Sequence, residues 1–394
     1  MAEHKRVPSR RRRVLWTAAC AFVALVVLGA GAAVYAYVRL NGNIKSVDID
    51  NRLGDARPPA ATDGSFNLLV LGSDSRNGEN GDLAGGNTGD TARSDTAMVV
   101  HVNQDHSRAQ IVSIPRDTLV TRPDCTDASG KTVPGAKRAM YNSAFESGGA
   151  ACAVKTTEQL TGLRMDHYLQ IDFAGFARVV DAIGGATVTT TVAIHDKDSG
   201  LDLPAGQHHL DGQQALAFVR TRHGVGDGSD LGRIELQKQM VKSLLQQAGG
   251  AGLLTDPVEL WSIGDTMTKS VTTDSALGSV NALVGLVQEL RGIGPDQLSM
   301  VTLPVETAPS DPNRVVAQQP QADQVWAALK ADQAFPQTVV SAQPENPAQA
   351  APTASPAAAP GASGATSAAT SGKTASKPTP KATPKATPSA GAVR

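Results

Sequence analysis

The sequence predicts an α/β protein: a layered α-β-α domain around a mixed central sheet, preceded by one N-terminal transmembrane helix. Two observations carry the layered domain. Short apolar runs rich in β-branched residues alternate with longer runs at helical spacing, and islands of charge fall where those runs end. A third observation carries the anchor. Residues 14–38 hold no charged side chain, which is long enough to span a bilayer as a helix.

Lys5, Arg6 and Arg10 to Arg13 precede that run and form a cytoplasmic basic segment, 1–13. Basic residues before the anchor and a large domain after it predict a single-pass protein of the cell membrane with its C-terminal bulk extracytoplasmic. A cleavable signal peptide, cut near Ala30-Gly31-Ala32, is the competing reading, but the apolar run exceeds a usual signal core. Residues 39–61, with Pro58-Pro59, read as a juxtamembrane spacer, and 62–340 as the folded domain. From 341 to 394 the composition narrows to Ala, Pro, Thr, Ser, Gly and Lys, with Lys381-Ala382-Thr383-Pro384 repeated at 385–388. Such a segment buries too little apolar surface to offset its ordering entropy, so a disordered tail is expected.

Within the domain, 66–71, 96–102 and 110–114 read as buried strands, the last two joined by a hairpin turn at 103–107. Further strands are expected at 168–171, 187–191 and 298–303. Helical spacing marks 141–160, 173–183, 212–218, 233–247, 275–290 and 321–329, with Asp211 and Asp230 as N-caps. Cys20 lies in the anchor. Cys125 and Cys152 lie in the exported part, where one disulfide is favoured over two buried thiols.

Four charged islands interrupt the apolar scaffold: Ser73-Asp74-Ser75-Arg76, Arg93-Ser94-Asp95-Thr96, Pro115-Arg116-Asp117-Thr118, and Arg220-Thr221-Arg222 with Asp230-Leu231-Gly232-Arg233. Strand ends form the usual ligand crevice of open α/β sheets. Arg93 with Asp95, and Arg220 with Arg222, point the same way if the backbone is extended there. Paired guanidiniums make a fork for phosphate oxygens. Any one Arg–Asp neighbour could be a plain ion pair, but surface pairs stabilise little, and four islands call for another reason. The carboxylates also suit Mg²⁺, or Mn²⁺. Segments 173–183 and 216–219 could line an apolar cavity for a lipid chain or be ordinary core.

Other chemistries lack their residues. Among the eight histidines only His208-His209 are adjacent, so zinc spacing is missing and lone histidines read as structural. There is no nucleophile elbow, Walker loop or dinucleotide fingerprint. A net charge of −1 leaves no nucleic-acid footprint.

In order, Leu69-Val70-Leu71-Gly72-Ser73-Asp74-Ser75-Arg76, Ala92-Arg93-Ser94-Asp95-Thr96 and Ser113-Ile114-Pro115-Arg116-Asp117-Thr118 resemble the signature of the LytR-CpsA-Psr family. Phe218-Val219-Arg220-Thr221-Arg222 and Asp230-Leu231-Gly232-Arg233-Ile234 continue it. The resemblance implies a glycopolymer transferase of actinobacterial type, moving a polymer from a polyprenyl-pyrophosphate carrier onto a peptidoglycan acceptor through a phosphodiester bond. It places Mg²⁺ on Asp74 and Asp95. Arg93, Arg116, Arg220 and Arg222 would grip the pyrophosphate, with Arg76 and Arg233 in support. Arg93, Arg116 and Asp230 are then the catalytic candidates, Asp230 as general base. Leu236 stands where the family often carries a further arginine. Two other functions fit the same residues: a pyrophosphate hydrolase with water as acceptor, and a non-enzymatic envelope regulator.

Overall fold

The computed structural model describes residues 10–73, 94–223, 228–250, 257–343, 346 and 348. Helix α1 runs Arg10–Asn43, and Val14–Asn43 is long and apolar enough to cross a membrane, alone among the described helices. This agrees with a single-pass protein whose C-terminal domain is extracytoplasmic. The helix continues past residue 38 because its last turn docks on the domain. Asn43 Nδ2 donates to Asp265 Oδ1 at 2.9 Å, and Asn41 Oδ1 accepts from the backbone of Val280 at 3.0 Å.

Seven strands form the main sheet: β1 (Lys45–Val47), β2 (Phe66–Ser73), β3 (Ser94–Val102), β4 (Ala109–Ser113), β5 (His167–Asp172), β6 (Val271–Asp274) and β7 (Leu298–Thr302). Their order is β1-β6-β5-β2-β3-β4-β7. β2 runs parallel to β5 and antiparallel to β3, while β4 is antiparallel to β3 and parallel to β7. The sheet is therefore mixed. Its directions bring the C-terminal ends of β2, β4, β5 and β7 to one rim, together with the start of β3.

Alternation along the central strands divides the core. Leu69, Leu71, Val99 and Val112 face helix α2 (Asn142–Thr161) and a later helix at Gln321–Lys330, packing with Phe145, Val154 and Trp326. Val70, Met98 and Ile111 face the opposite way. There, beyond α3 (Phe173–Ala182) and α4 (Gly212–Arg220), the long helix α5 (Asp230–Gly250) lays Val241 and Leu245 on the sheet. Helices α6 (Pro257–Ser270) and α7 (Val280–Leu290) complete that side, and the Gln321–Lys330 helix becomes α8. A satellite cluster of Val180, Phe218, Leu236 and Met240 sits under two short hairpins.

Local chemistry explains several boundaries. Asp211 caps α4 in a full capping box with Gln214, as its position predicts. Asp230 is not a cap: it lies in the first turn of α5, and Ser229 Oγ accepts from Gly232 N at 3.4 Å in its place. The helix expected from 275 begins only at Val280, since Ser279 caps it by accepting from Ala282 N. Cys125 and Cys152 are disulfide-bonded, with Cα atoms 5.3 Å apart, tying a small hairpin to α2.

The 39–61 segment carries structure. β1 adds a parallel edge strand beside β6, and Ile49 and Leu53 are buried. Arg57 Nη2 lies 2.6 Å from Glu158 Oε1 on α2 and donates to Met165 O at 2.7 Å. At the other end, Ala348 O accepts from Thr191 N at 2.6 Å, so packed contacts reach beyond residue 341.

Only 9% of the Arg57 side chain and 3% of the Glu158 side chain is exposed. Removing one partner leaves the other charge buried and unpaired, so Arg57→Ala should destabilise the domain by about 3–5 kcal/mol. A denaturant midpoint unchanged from wild type would show that the pair adds nothing.

Candidate active site

The rim collects the charged islands by three separate devices. The first is a β-bulge. Gly72 pairs with Thr96 but Ser73 pairs with Ser94, so Asp95 is the extra residue and its carboxylate is re-aimed out of the ladder. A side chain at position 72 would meet Thr96 Cβ at 3.0 Å, so the close approach of these strands favours glycine. The second is the turn after β4. Ile114 N donates to Ala97 O, and Thr118 closes a turn on Pro115 O through both its backbone and its hydroxyl, which swings Arg116 over the sheet edge. The third is the start of α5, which brings Asp230 and Arg233 in from above.

These residues meet. Arg116 Nη1 donates to Asp95 Oδ1 at 2.6 Å, and Arg116 Nε stands 3.6 Å from Asp230 Oδ1. Arg233 Nη2 is 2.5 Å from the same Asp230 oxygen and 3.2 Å from the backbone oxygen of Asp95. Arg222 Nη2 approaches Asp230 at 3.7 Å. Three guanidiniums thus converge on Asp230. Both of its oxygens are shielded from solvent and lack aligned hydrogen bonds, Oδ1 meeting the arginines as ion pairs, and Nε of Arg116 and of Arg233 also makes no hydrogen bond.

Arg220 and Arg222 reach the site differently from the extended pair expected. Arg220 ends α4, with its guanidinium carbon 4.8 Å from the Phe173 ring centroid, a cation–π distance. Thr221 then leaves the helix at ψ 131° and Arg222 follows in a loop. Asp196 fixes that loop by accepting from the backbone of Arg222 at 2.9 Å and of His223 at 3.0 Å.

Below the rim lies a cavity of about 390 Å³. Val70 and Met98 of the sheet, Phe173 and Phe176 of α3, Leu216 and Val219 of α4, and Met240 and Leu244 of α5 line it, while Asp95, Arg220, Arg222 and Arg233 stand at its charged end. The segments at 173–183 and 216–219 divide by face. Phe173, Phe176, Leu216 and Val219 border the cavity, whereas Ala174, Ala177 and Val180 are plain core.

Electrostatics follow from this crowding. Burial alone would raise the Asp95 carboxyl, but Arg233 and Arg116 outweigh it and hold the group below the usual carboxylate range. Burial presses the Arg233 guanidinium down to about 10, with Asp230 opposing and Arg222 adding repulsion. Burial would raise Asp196 too, yet the amides of Arg222, Asp198 and His223 keep it low.

Of the residues singled out from sequence, Asp95, Arg116, Arg222, Asp230 and Arg233 are brought together, with Arg220 across the cavity mouth. Asp74, Arg76 and Arg93 lie outside the described residues. Among the described residues no group of three His, Cys, Asp or Glu side chains could hold a metal ion. Leu236 is fully buried in the satellite cluster. His101 is structural, bonding Asn67 Oδ1 at 2.9 Å. Sequence reasoning missed Asp196 and Asp172, the latter capping α3 through Gly175 N at 2.7 Å while lining the cavity. The turn-forming run Asp196-Lys197-Asp198-Ser199-Gly200 was the available signal for the first.

An arginine-rich cluster thus stands at the rim of a mixed sheet, over an apolar cavity, in a domain that follows a helix long and apolar enough to cross a membrane. The chain belongs to the LytR_cpsA_psr family, whose profile matches residues 36–331. It is 32% identical over 312 residues to the cell wall biosynthesis protein LcpA of Corynebacterium glutamicum, a match covering 72% of this chain and 59% of LcpA. The chain thus spans about three-fifths of the length of that curated relative. Over 308 residues it is 28% identical to the polyisoprenyl-teichoic acid–peptidoglycan teichoic acid transferase TagT of Bacillus subtilis, covering 75% of this chain and 88% of TagT. The fold matches that of the LytR-Csp2A-Psr enzyme from Actinomyces oris with a TM-score of 0.52 at 23% identity, over 73% of this chain and 96% of the other.

Because Asp95 sits below its ordinary value, its ion pairing contributes stability that is present above the ordinary carboxylate range. That stability is lost as pH falls through the lowered value. Asp95→Asn should therefore flatten the fall in Tm between roughly pH 5 and pH 2 relative to wild type. Parallel profiles would place the acid transition on other carboxylates.

Proposed function

We propose that this protein transfers a glycopolymer from a polyprenyl-pyrophosphate carrier to peptidoglycan as a phosphodiester. One observation carries the reading: of the three guanidiniums that converge on Asp230, those of Arg222 and Arg233 line an apolar cavity, with Arg220 beside them. A pyrophosphate with a hydrocarbon tail satisfies both halves at once, and a free nucleotide or a neutral lipid satisfies only one. TagT, a polyisoprenyl-teichoic acid–peptidoglycan teichoic acid transferase, has an activity of this kind.

In the proposed mechanism, Arg116, Arg222 and Arg233 turn from Asp230 to the pyrophosphate oxygens, and Arg220 flanks the carrier where it enters beside Phe173. Arg76 and Arg93 join this grip. The acceptor hydroxyl attacks the sugar-side phosphorus in line. The bond from that phosphorus to the bridging oxygen breaks, and polyprenyl phosphate leaves with that oxygen. Asp230, freed of its cations, takes the hydroxyl proton. The arginines hold charge that builds on the phosphoryl oxygens, in a site already shaped for it. Mg²⁺, or Mn²⁺, fits the donor set in the mode that uses one or two carboxylates plus substrate phosphate. Arg116 engages Oδ1 of Asp95, and Asp95 with Asp74 would hold the ion, which when bound neutralises pyrophosphate charge.

The test is reconstitution of the full chain with polyprenyl-pyrophosphate oligosaccharide, Mg²⁺ and peptidoglycan oligomers. A phosphodiester-linked product is expected. Phosphate release without linked product would replace the transferase with a hydrolase, and neither product would overturn both. Arg222→Ala should lower kcat/KM by roughly 10²–10³-fold. Asp230→Asn should lower kcat by roughly 10²–10⁴-fold at unchanged donor KM. A rise in KM alone would leave Asp230 only the task of spacing the arginines.

A further inference from the structure

Helix α7 reads Val280-Asn281-Ala282-Leu283-Val284-Gly285-Leu286-Val287-Gln288-Glu289-Leu290, and it is apolar on two faces. Leu286 is buried, and Leu290 packs toward the sheet. Val280, Leu283, Val284 and Val287 make a second stripe at i, i+3, i+4 and i+7. Val284 is 47% exposed and Val287 65% exposed. An apolar helix of this length is ordinarily a core helix or an interfacial one, and the outward stripe excludes the first. Helix α6, which like α7 contacts α1, leaves Val258 and Leu260 exposed.

Position decides what meets this surface. The last turn of α1 is bound to these two helices by the Asn43–Asp265, Arg39–Asp265 and Asn41–Val280 contacts. They therefore sit where the anchor leaves the bilayer. Tyr35 of the anchor and Trp261 of α6 stack with ring centroids 6.5 Å apart. Tyr and Trp are the side chains that concentrate at membrane–water interfaces.

We propose that α7 and the first turn of α6 lie in the extracytoplasmic interface of the bilayer that α1 crosses, with Val284, Val287 and Val258 in contact with lipid. The surface continues the lipid-facing side of the anchor, and its partner is the lipid itself. The same helices brace the cavity. A side chain at Gly175 would come within 2.8 Å of Ser270 O, so the start of α3, which carries Phe173 and Phe176, is pressed onto the end of α6. Seating α6 and α7 in the interface therefore sets the height of the cavity's aromatic wall above the hydrocarbon.

The test uses the full chain with Cys20→Ala and Val287→Cys, labelled with an environment-sensitive bimane probe. It is reconstituted in phosphatidylglycerol–phosphatidylcholine vesicles containing brominated lipids. A label at Val284→Cys repeats the measurement, and Asn313→Cys, in the hairpin of strands Val305–Ala308 and Asp311–Ala317 that follows β7 at the sheet edge opposite β1, is the control. Shallow brominated lipids should quench both stripe positions more than deep ones, as for an apolar face seated roughly 5–10 Å into the headgroup–acyl boundary. The control should stay unquenched. Equal quenching at the stripe and control positions would overturn the proposal. So would unquenched stripe labels that crosslink two chains, because the stripe would then belong to a contact between copies.

Discussion

The rim is built around a buried electrostatic conflict that Asp230 contains. Arg233 is 4% exposed and lies in the first turn of α5, where the helix dipole already disfavours a cation. Arg116 and Arg222 add two further guanidiniums to the same space. A carboxylate at that helix end is favoured by the dipole, and one residue, Asp230, faces all three arginines. With Asp95 and Asp117, which also pair with Arg116, it balances much of the charge without satisfying every donor. The unspent Nε groups of Arg116 and Arg233 are what remains. On the proposed function, an incoming pyrophosphate would complete the set, and the strain of this conflict would become affinity for it.

Helix α5 couples this charge to the cavity. Its middle turns lay Val241 and Leu245 on the sheet and point Met240 and Leu244 at the cavity, while its first turn supplies Asp230 and Arg233. The position of the cations therefore depends on apolar packing two to three turns away. The bulge at Gly72 and Ser73 does the same from the other side, since pairing in β2 and β3 decides where Asp95 points. The placement of the charges and the shape of the cavity are not separable features of this fold.

Much of this was legible in the sequence, because charge next to a buried strand has few places to go except the strand's end. That reasoning located Asp95 and Arg116 correctly relative to β3 and β4. It erred where side-chain direction depends on a break in structure. Arg220 and Arg222 do not share one extended segment; the helix ends between them, and a turn held by Asp196 carries Arg222 round. No local pattern links Asp196 to Arg222, since the contact joins elements 26 residues apart. Asp230 was legible as a helix-start residue, but its distinction from a cap rested on Ser229, one position earlier. The 39–61 segment was misleading for a different reason. Its proline pair and low apolar content mark a spacer, while its hold on the domain comes from scattered contacts: the Asn41 and Asn43 hydrogen bonds, a three-residue edge strand, buried Ile49 and Leu53, and the Arg57 ion pair.

That hold matters for function. A domain on a loose tether would sample many orientations above the bilayer, and a lipid-linked substrate would meet its cavity in few of them. Here the anchor helix runs without interruption to Asn43 and is clamped there by Asp265 and Val280. β1 joins the sheet directly after it, and Arg57 pins the rest of the 39–61 segment to α2. The orientational entropy that binding would otherwise have to overcome is removed when the domain folds. On the proposed function the carrier would keep its tail in the hydrocarbon, so the remaining search would be for a pyrophosphate at a fixed height. The proposed amphiphilic substrate would gain from a docked anchor in a way that a soluble ligand would not, because only an amphiphile arrives already oriented by the same membrane.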